Sequence, residues 1–301
     1  FGGGAPGGDR RLSSPVGEQS AGGSSRRLGS ILITGCSTGI GYHCAHGMKE
    51  RGWQVFVTAR KGDDLKRLRD EGFDTSFLEY ADEDSITATV DHVLQQTGGR
   101  LDVLFNNGAY AQPGAIEDLT MAALREQYDA NFFGWHDLVR RIIPVMRAQG
   151  SGRIVQNSSI LGFIALPMRG AYTSSKFAIE GYTDTLRIEL EGTGIHVSSI
   201  QPGPIESKIG ENSIRAIHRH IDIEGSVHRE VYKRRLAALE KGGNTFGQLG
   251  PEAVLKALVH ACESRRPKPH YHVTNPTRLM AMLRRILPGR ALHAVLVRAR
   301  T

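Results

Sequence analysis

Cysteine is scarce in this chain: Cys36, Cys44 and Cys262 are the only three in 301 residues, and no CxxC pair occurs. That usage excludes a disulfide framework and fits free thiols in a reducing compartment, so a cytoplasmic protein is expected. Apolar runs are short, and none approaches the ~20 residues that a bilayer-spanning helix requires. Acidic residues are missing from one place: positions 265–301 carry nine Lys/Arg and no Asp or Glu. Of 38 basic residues, removing those nine leaves 29 against 31 acidic ones, so the formal net charge of +7 belongs to the tail. No DNA-binding pattern accompanies this charge, which argues against a nucleic-acid partner.

The two ends of the chain differ in character from the middle. Residues 1–29 (FGGGAPGGDRRLSSPVGEQSAGGSSRRLG) are rich in Gly, Ser and Arg and poor in apolar side chains. They cannot bury enough surface to offset chain entropy, which predicts a flexible extension, native or artificial. No apolar core of a secretory signal occurs in them, and Asp9 and Glu18 interrupt the basic character of an organelle-targeting segment. The other end, about 275–301, mixes apolar residues with arginines at helical spacing. It predicts a helix that lays its apolar face on the domain, with peripheral membrane contact as the alternative.

Between these ends the pattern alternates. Apolar strand-like segments at 30–34, 53–59, 73–80, 101–107, 153–159, 195–201 and 270–274 are separated by helix-like ones at 40–52, 63–72, 84–98, 120–149 and 170–192. Pro144 is expected to kink or end the fourth of those helices. Such alternation predicts an α/β fold, a doubly wound parallel sheet of the Rossmann type, in a single domain over 30–301. Residues 203–250 break the rhythm with a polar, helix-prone insertion after the sixth strand. Ligands of open α/β sheets bind beyond the carboxyl ends of strands, so this insertion is placed to cover a substrate.

After the first strand comes TGCSTGIG, residues 34–41. Gly35, Gly39 and Gly41 would let the backbone and a helix N-terminus approach a pyrophosphate. The second strand ends in VTARKG, with Arg60 and Lys61 and no acid before Asp63. Arginine there suits the additional phosphate of NADP(H), whereas NAD(H) is favoured by an acid. Farther on, AYTSSKF sets Tyr172 one helical turn before Lys176. A lysine on the same helix face favours the phenolate and brings a tyrosine toward useful proton transfer, although such a pair also occurs on ordinary helix surfaces.

Taken together, TGCSTGIG, NNGA at 106–109, Asn131, Ser159 thirteen residues before Tyr172, and YTSSK resemble the short-chain dehydrogenase/reductase family from about residue 30 to 205. With NPTRLMAMLRRILPGR near the C-terminus, the chain is most similar to bacterial NADP-dependent aldehyde reductases of that family, and also to its hydroxysteroid and retinol dehydrogenases. The resemblance implies that Tyr172 passes a proton to or from the substrate oxygen, and that Lys176 lowers its pKa and holds the nicotinamide ribose. It implies that Ser159 donates to the substrate oxygen, and that Asn131 steadies a helix carbonyl and a water leading to Lys176. Cofactor contacts are implied for Gly35, Ser37, Thr38, Gly39, Ile40, Gly41, Arg60, Glu79, Tyr80, Asn107, Gly108, Ala109, Tyr172 and Lys176. QPGPIES at 201–207 resembles the segment beside the nicotinamide, which adds Pro202, Gly203, Ile205 and Ser207.

Three departures stand out. The family usually reads NNAG where this chain reads Asn106-Asn107-Gly108-Ala109, which moves the residue free to take a positive φ. Glu79 stands where an Asp is usual, and Ser207 where a Thr is usual. The histidine pairs His218/His220 and His270/His272 lack a carboxylate or cysteine cluster at metal-ligand spacing, so no metal is expected. Cys36, inside the glycine turn, reads as a small residue more than as a reactive thiol.

The expected activity is NADP(H)-dependent interconversion of a carbonyl, an aldehyde or hydrophobic ketone, with its alcohol. The alternatives are a hydroxysteroid- or retinol-type dehydrogenase and, in another class, a non-catalytic NADP(H)-binding regulator. A homodimer or homotetramer is implied by the resemblance.

Overall fold

The computed structural model describes residues 2, 28–207, 209–241 and 246–298. The expectation of a flexible extension over 1–29 therefore falls, apart from Gly2, Leu28 and Gly29, outside the described residues.

Seven strands form one parallel sheet: β1 (Ser30–Ile33), β2 (Gln54–Ala59), β3 (Asp74–Phe77), β4 (Val103–Asn106), β5 (Gly152–Asn157), β6 (Ile195–Gln201) and β7 (His270–His272). Their order is β3-β2-β1-β4-β5-β6-β7, so the chain winds outward on one side of β1 and then on the other. The crevice between the ends of β1 and β4 is where such a sheet binds ligands.

Alternate strand residues point to opposite faces, and both faces are covered. On one face Ile31, Ile33, Val55, Val57 and Phe105 pack against α1 (Gly39–Glu50), α2 (Gly62–Asp70) and α9 (Glu252–Glu263) through Cys44, Met48, Leu68, Val254 and Leu258. On the other, Leu32, Phe56, Leu104 and Ile154 pack against α3 (Glu83–Gln96), α5 (Gly134–Gln149) and α6 (Gly170–Glu189) through Val90, Ile142, Met146 and Leu186. Burial of about 25 cal/mol per Å² of apolar surface drives both layers together.

The helix expected over 120–149 is divided, and not by Pro144. It comprises α4 (Met121–Tyr128), a wider π turn (Asp129–Phe133) and α5, which runs through Pro144 to Gly150, where φ is +69°. Glycine takes that left-handed position without a Cβ penalty and so ends the helix. The π turn carries the buried Asn131. Such turns cluster at functional sites because the extra residue re-aims a side chain.

After β6, the insertion forms α7 (Ile209–His220) and α8 (Arg229–Lys241). Tyr232, Leu236, Ile217 and Ile221 close a separate small core with Ala115 and Met168, beyond the carboxyl ends of β4 and β5. The tail forms α10 (Asn275–Ile286) and α11 (Gly289–Arg298).

Candidate active site

The glycine turn is fixed by its neighbour across the crevice. Thr34 Oγ1 accepts from the backbone N–H of Asn107 at 2.8 Å and of Gly108 at 3.1 Å, while Asn107 Nδ2 donates to the Thr34 carbonyl at 2.9 Å. Gly35 and Gly39 have φ of +70° and +62°, left-handed positions that suit glycine. A Cβ on Gly35 would strike the Gly108 backbone, and one on Gly41 the Gly35 carbonyl. Gly108 itself has no positive φ; its glycine serves close approach to Gly35 and to the Tyr80 ring. The NNGA order therefore exchanges no backbone freedom.

Thr38 precedes α1 without a side-chain cap, and the first turn holds no acid. The free N–H groups there remain available to an anion. Ser207 lies over the turn, where a Cβ on Gly39 would come within 3.3 Å of it. Ser37 is braced from below, its carbonyl accepting from Arg67 at 2.6 Å, and Ile40 packs on the core. Pro202 accepts from the Ile160 N–H at 2.7 Å, Gly203 abuts the Thr274 and Thr277 side chains, and Ile205 bridges to Leu249. Ala109 is exposed beside the crevice. These residues fit the pyrophosphate and nicotinamide ends of a dinucleotide.

Two expected cofactor residues are engaged with each other. Arg60 donates to Glu79 at 3.3 Å in an exposed ion pair. Tyr80 sits behind the crevice, its ring closing on Gly134 and Gly108, with a hydroxyl that lacks a protein partner.

The catalytic candidates meet at the ends of β5 and α6. Ser159 caps a short turn, its hydroxyl accepting from the Leu161 N–H at 3.1 Å. The same hydroxyl acts on the Tyr172 phenol. Burial raises the Tyr172 phenol above its ordinary pKa, and the Ser159 hydroxyl and the Arg169 charge pull against that rise. Lys176 is buried; its Nζ donates to the Asn157 carbonyl at 2.9 Å and lies 4.4 Å from the centre of the Trp135 ring. Burial pushes its pKa down to about 7, with Glu180 opposing the shift.

Two expectations change here. The cation that opposes the rise of the Tyr172 pKa in this structure is Arg169; Lys176 lies 5.6 Å from the tyrosine ring centre, and burial lowers its own pKa. Asn131 steadies a loop rather than a helix: its Oδ1 accepts from the Tyr110 N–H at 3.1 Å, and its Nδ2 donates to the Tyr110 carbonyl at 3.0 Å and to Ser175 at 3.3 Å.

Several contributors escaped sequence reasoning. Glu180, one turn after Lys176, is buried and accepts from Ser199 at 2.7 Å, with His270 3.6 Å away. Its helical spacing from Lys176 was the available signal. Trp135, whose Nε1 donates to the Gly108 carbonyl at 2.8 Å, had none. The tail also reaches this region: Met280, Ala281 and Leu296 pack against Leu161, Phe163 and Ile164, the small core on which Tyr172 also packs. Arg284 fastens α10 by donating to the Phe163 carbonyl at 2.7 Å.

Elsewhere, His220 pairs with Glu126 at 2.9 Å and His270 with Asp184 at 3.5 Å. No group of three or more His, Cys, Asp or Glu suited to a metal ion occurs among the described residues. The Cys36 thiol is buried and held far above its ordinary pKa by desolvation. No helix among the described residues is long and apolar enough to cross a membrane.

Comparison with known proteins bears on the family and the fold. The family model for short chain dehydrogenase matches residues 30–217. An uncharacterized oxidoreductase of Escherichia coli strain K12, YbbO, is 38% identical over 267 residues, covering 89% of this chain and 93% of its own. Human retinol dehydrogenase 8 is 31% identical over 251 residues, covering 79% of each chain. The crystal structure of a short-chain dehydrogenase from Streptomyces avermitilis superposes with a TM-score of 0.71 at 25% identity, over 90% of this chain and 96% of that one.

Proposed function

We propose that this chain, which belongs to the short-chain dehydrogenase family, is an NADP(H)-dependent oxidoreductase that interconverts a carbonyl and its alcohol. The observation that carries the reading is the meeting of Ser159, Tyr172 and the buried Lys176 beside the glycine turn. The cofactor, when bound, supplies or accepts the hydride. Tyr172 gives its phenolic proton to the carbonyl oxygen during reduction and takes it back during oxidation. Ser159 donates a hydrogen bond to the same oxygen as charge grows on it. Lys176, held by Asn157, lends positive charge near the tyrosine while it is protonated. Asn131 keeps the Tyr110 loop and Ser175 in register.

NADP(H) is favoured over NAD(H) by Arg60 and Lys61 at the end of β2, where no carboxylate precedes Asp63. Arg60 exchanges its exposed Glu79 partner for the 2′-phosphate, since such surface pairs contribute under ~1 kcal/mol. The substrate is an aldehyde or hydrophobic ketone, or the corresponding lipid alcohol. Apolar side chains of α10 and α11 beside Tyr172 support this class, with α7 and α8 as its cover. Exposed Leu279, Met282 and Ile286 on α10 suit peripheral contact with a membrane that stores such molecules. Exposed Phe133 and Ile188 beside and on the long helices suit pairing with a second copy, and three buried free thiols suit a cytoplasmic setting.

The test is oxidation of NADPH, compared with NADH, against aldehydes and ketones of increasing chain length, followed by absorbance. Turnover that favours NADPH and longer apolar substrates supports the reading. Tight cofactor binding without turnover of any carbonyl would make the chain a regulatory binder instead.

A further inference from the structure

Arg169 and Arg235 flank one small core and repel each other, and no acidic side chain among the described residues pairs with either. Arg169 is the residue before α6, three positions before Tyr172, and Arg235 lies on α8. Both are half-buried, and neither has a hydrogen-bonded side-chain partner or an ion pair among the described residues. The charged or titratable groups felt at Arg169 are Arg235, which repels it, and the Tyr172 phenol, which attracts it.

This placement is held, not incidental. Met168 and Leu236, the chain neighbours of the two arginines, are buried in one small core with Tyr232. Met168 takes a φ of +64°, a left-handed conformation that is costly for a residue with a Cβ. The Gly114 N–H donates to its carbonyl at 3.0 Å, and a backbone bridge joins Gly114 to Arg169. Arg169 also sits at the positive end of a twenty-residue helix whose first turn lacks a side-chain cap. Two like charges and a helix N-terminus, partly withdrawn from water, repel one another unless an anion joins them. Paired guanidinium groups match the planar, multidentate oxygens of carboxylate and phosphate.

We propose that Arg169 and Arg235 form an anion-binding subsite beside Tyr172, so that the carbonyl substrate is an amphiphile with an oxyacid head. The inference rests on the carbonyl–alcohol reading and narrows its substrate class. The head sits between α6 and α8, and the apolar part runs toward Ile164, Met280 and Leu296, in the small core against which Tyr172 packs. The carbonyl then lies within the molecule, and the acid group fixes which carbon faces the cofactor.

Binding can be measured apart from turnover, by calorimetric titration of octanoate, octyl phosphate and the neutral octanamide into the NADP(H)-saturated protein. Charge-assisted bonds predict that one of the two acids binds about tenfold or more tightly than octanamide. Whichever acid binds tighter identifies the head as carboxylate or phosphate. R235Q and, separately, R169Q should bring the acid-to-amide ratio to near unity, while R235K retains part of it; melting curves check folding. Equal binding of acids and amide by the wild type would overturn the proposal, as would a ratio unaffected by both variants. A loss confined to NADPH affinity would also overturn it, by assigning the arginines to the cofactor. Absence of carbonyl turnover alongside an intact acid preference would instead count against the enzymatic reading and leave the subsite standing.

Discussion

Lys176 donates to the carbonyl oxygen of Asn157 at 2.9 Å, a bond made wholly inside the protein at the end of β5. An ammonium group there loses most of its hydration. One backbone acceptor, the face of Trp135 and the nearby Glu180 replace only part of it. The pKa of the lysine therefore drops from 10.5 to about 7, and its charge becomes sensitive to conditions near neutrality.

The first prediction concerns stability. From pH 7 to 10.5 the unfolded chain keeps a proton on this lysine that the folded chain has released. Stability then rises with pH across that window and carries the full penalty below it. The slope is about 1.4 kcal/mol per pH unit at most. Lys176→Met should remove this component, so that urea unfolding at several pH values shows the variant gaining on the wild type as pH falls. Parallel curves for the two proteins would contradict the buried-lysine account.

Ser159→Ala removes both a donor to the substrate oxygen and a group that favours the Tyr172 phenolate. We expect kcat/KM to fall by roughly 10²–10³, the usual cost of one such donor. Alcohol oxidation needs the phenolate, so the limb on which its rate rises with pH should move to higher pH. A pH–rate profile of the same shape and height as the wild type would exclude this role.

Cofactor choice is open to charge reversal. Arg60→Asp should shift the kcat/KM preference from NADPH toward NADH, by repelling the 2′-phosphate and accepting from the ribose. Glu79→Gln should tighten NADPH binding by no more than a few-fold, because the pair it breaks is exposed. Titration of both cofactors into each variant checks the two effects separately.

Met280 packs against the same small core as Tyr172, from a helix about a hundred residues away in sequence. Met280→Ala should raise KM several-fold for the longest apolar substrates and little for short ones, since each lost methylene contact is worth about 0.8 kcal/mol. Equal effects across a chain-length series would remove α10 from the substrate wall.

Most of the sheet was legible because its strands are buried on both faces and read as short apolar runs between glycines and polar turns. The glycine turn and Ser159, Tyr172 and Lys176 were legible because local spacing on a strand end and one helix determines their positions. Long-range packing hid the rest. Nothing near Trp135 foretells that its ring lies under Lys176, or that Met280 and Leu296 pack against the same small core as the tyrosine. The π turn at Asp129–Phe133 was invisible because one extra residue in a turn leaves helical periodicity almost unchanged, whereas the conspicuous Pro144 is accommodated within α5. The role of Arg169 was hidden as well, since it depends on the Met168 backbone and on α8 folding over it.

The central claim is that Tyr172 transfers the substrate proton, and Tyr172→Phe tests it most directly. Steady-state NADPH oxidation with a substrate the wild type reduces should fall by about 10²–10⁴, the range for losing a positioned general acid. NADPH affinity, measured by fluorescence titration, should stay within a few-fold of the wild type. A phenylalanine variant that binds the cofactor and reduces the carbonyl at near the wild-type rate would contradict the account.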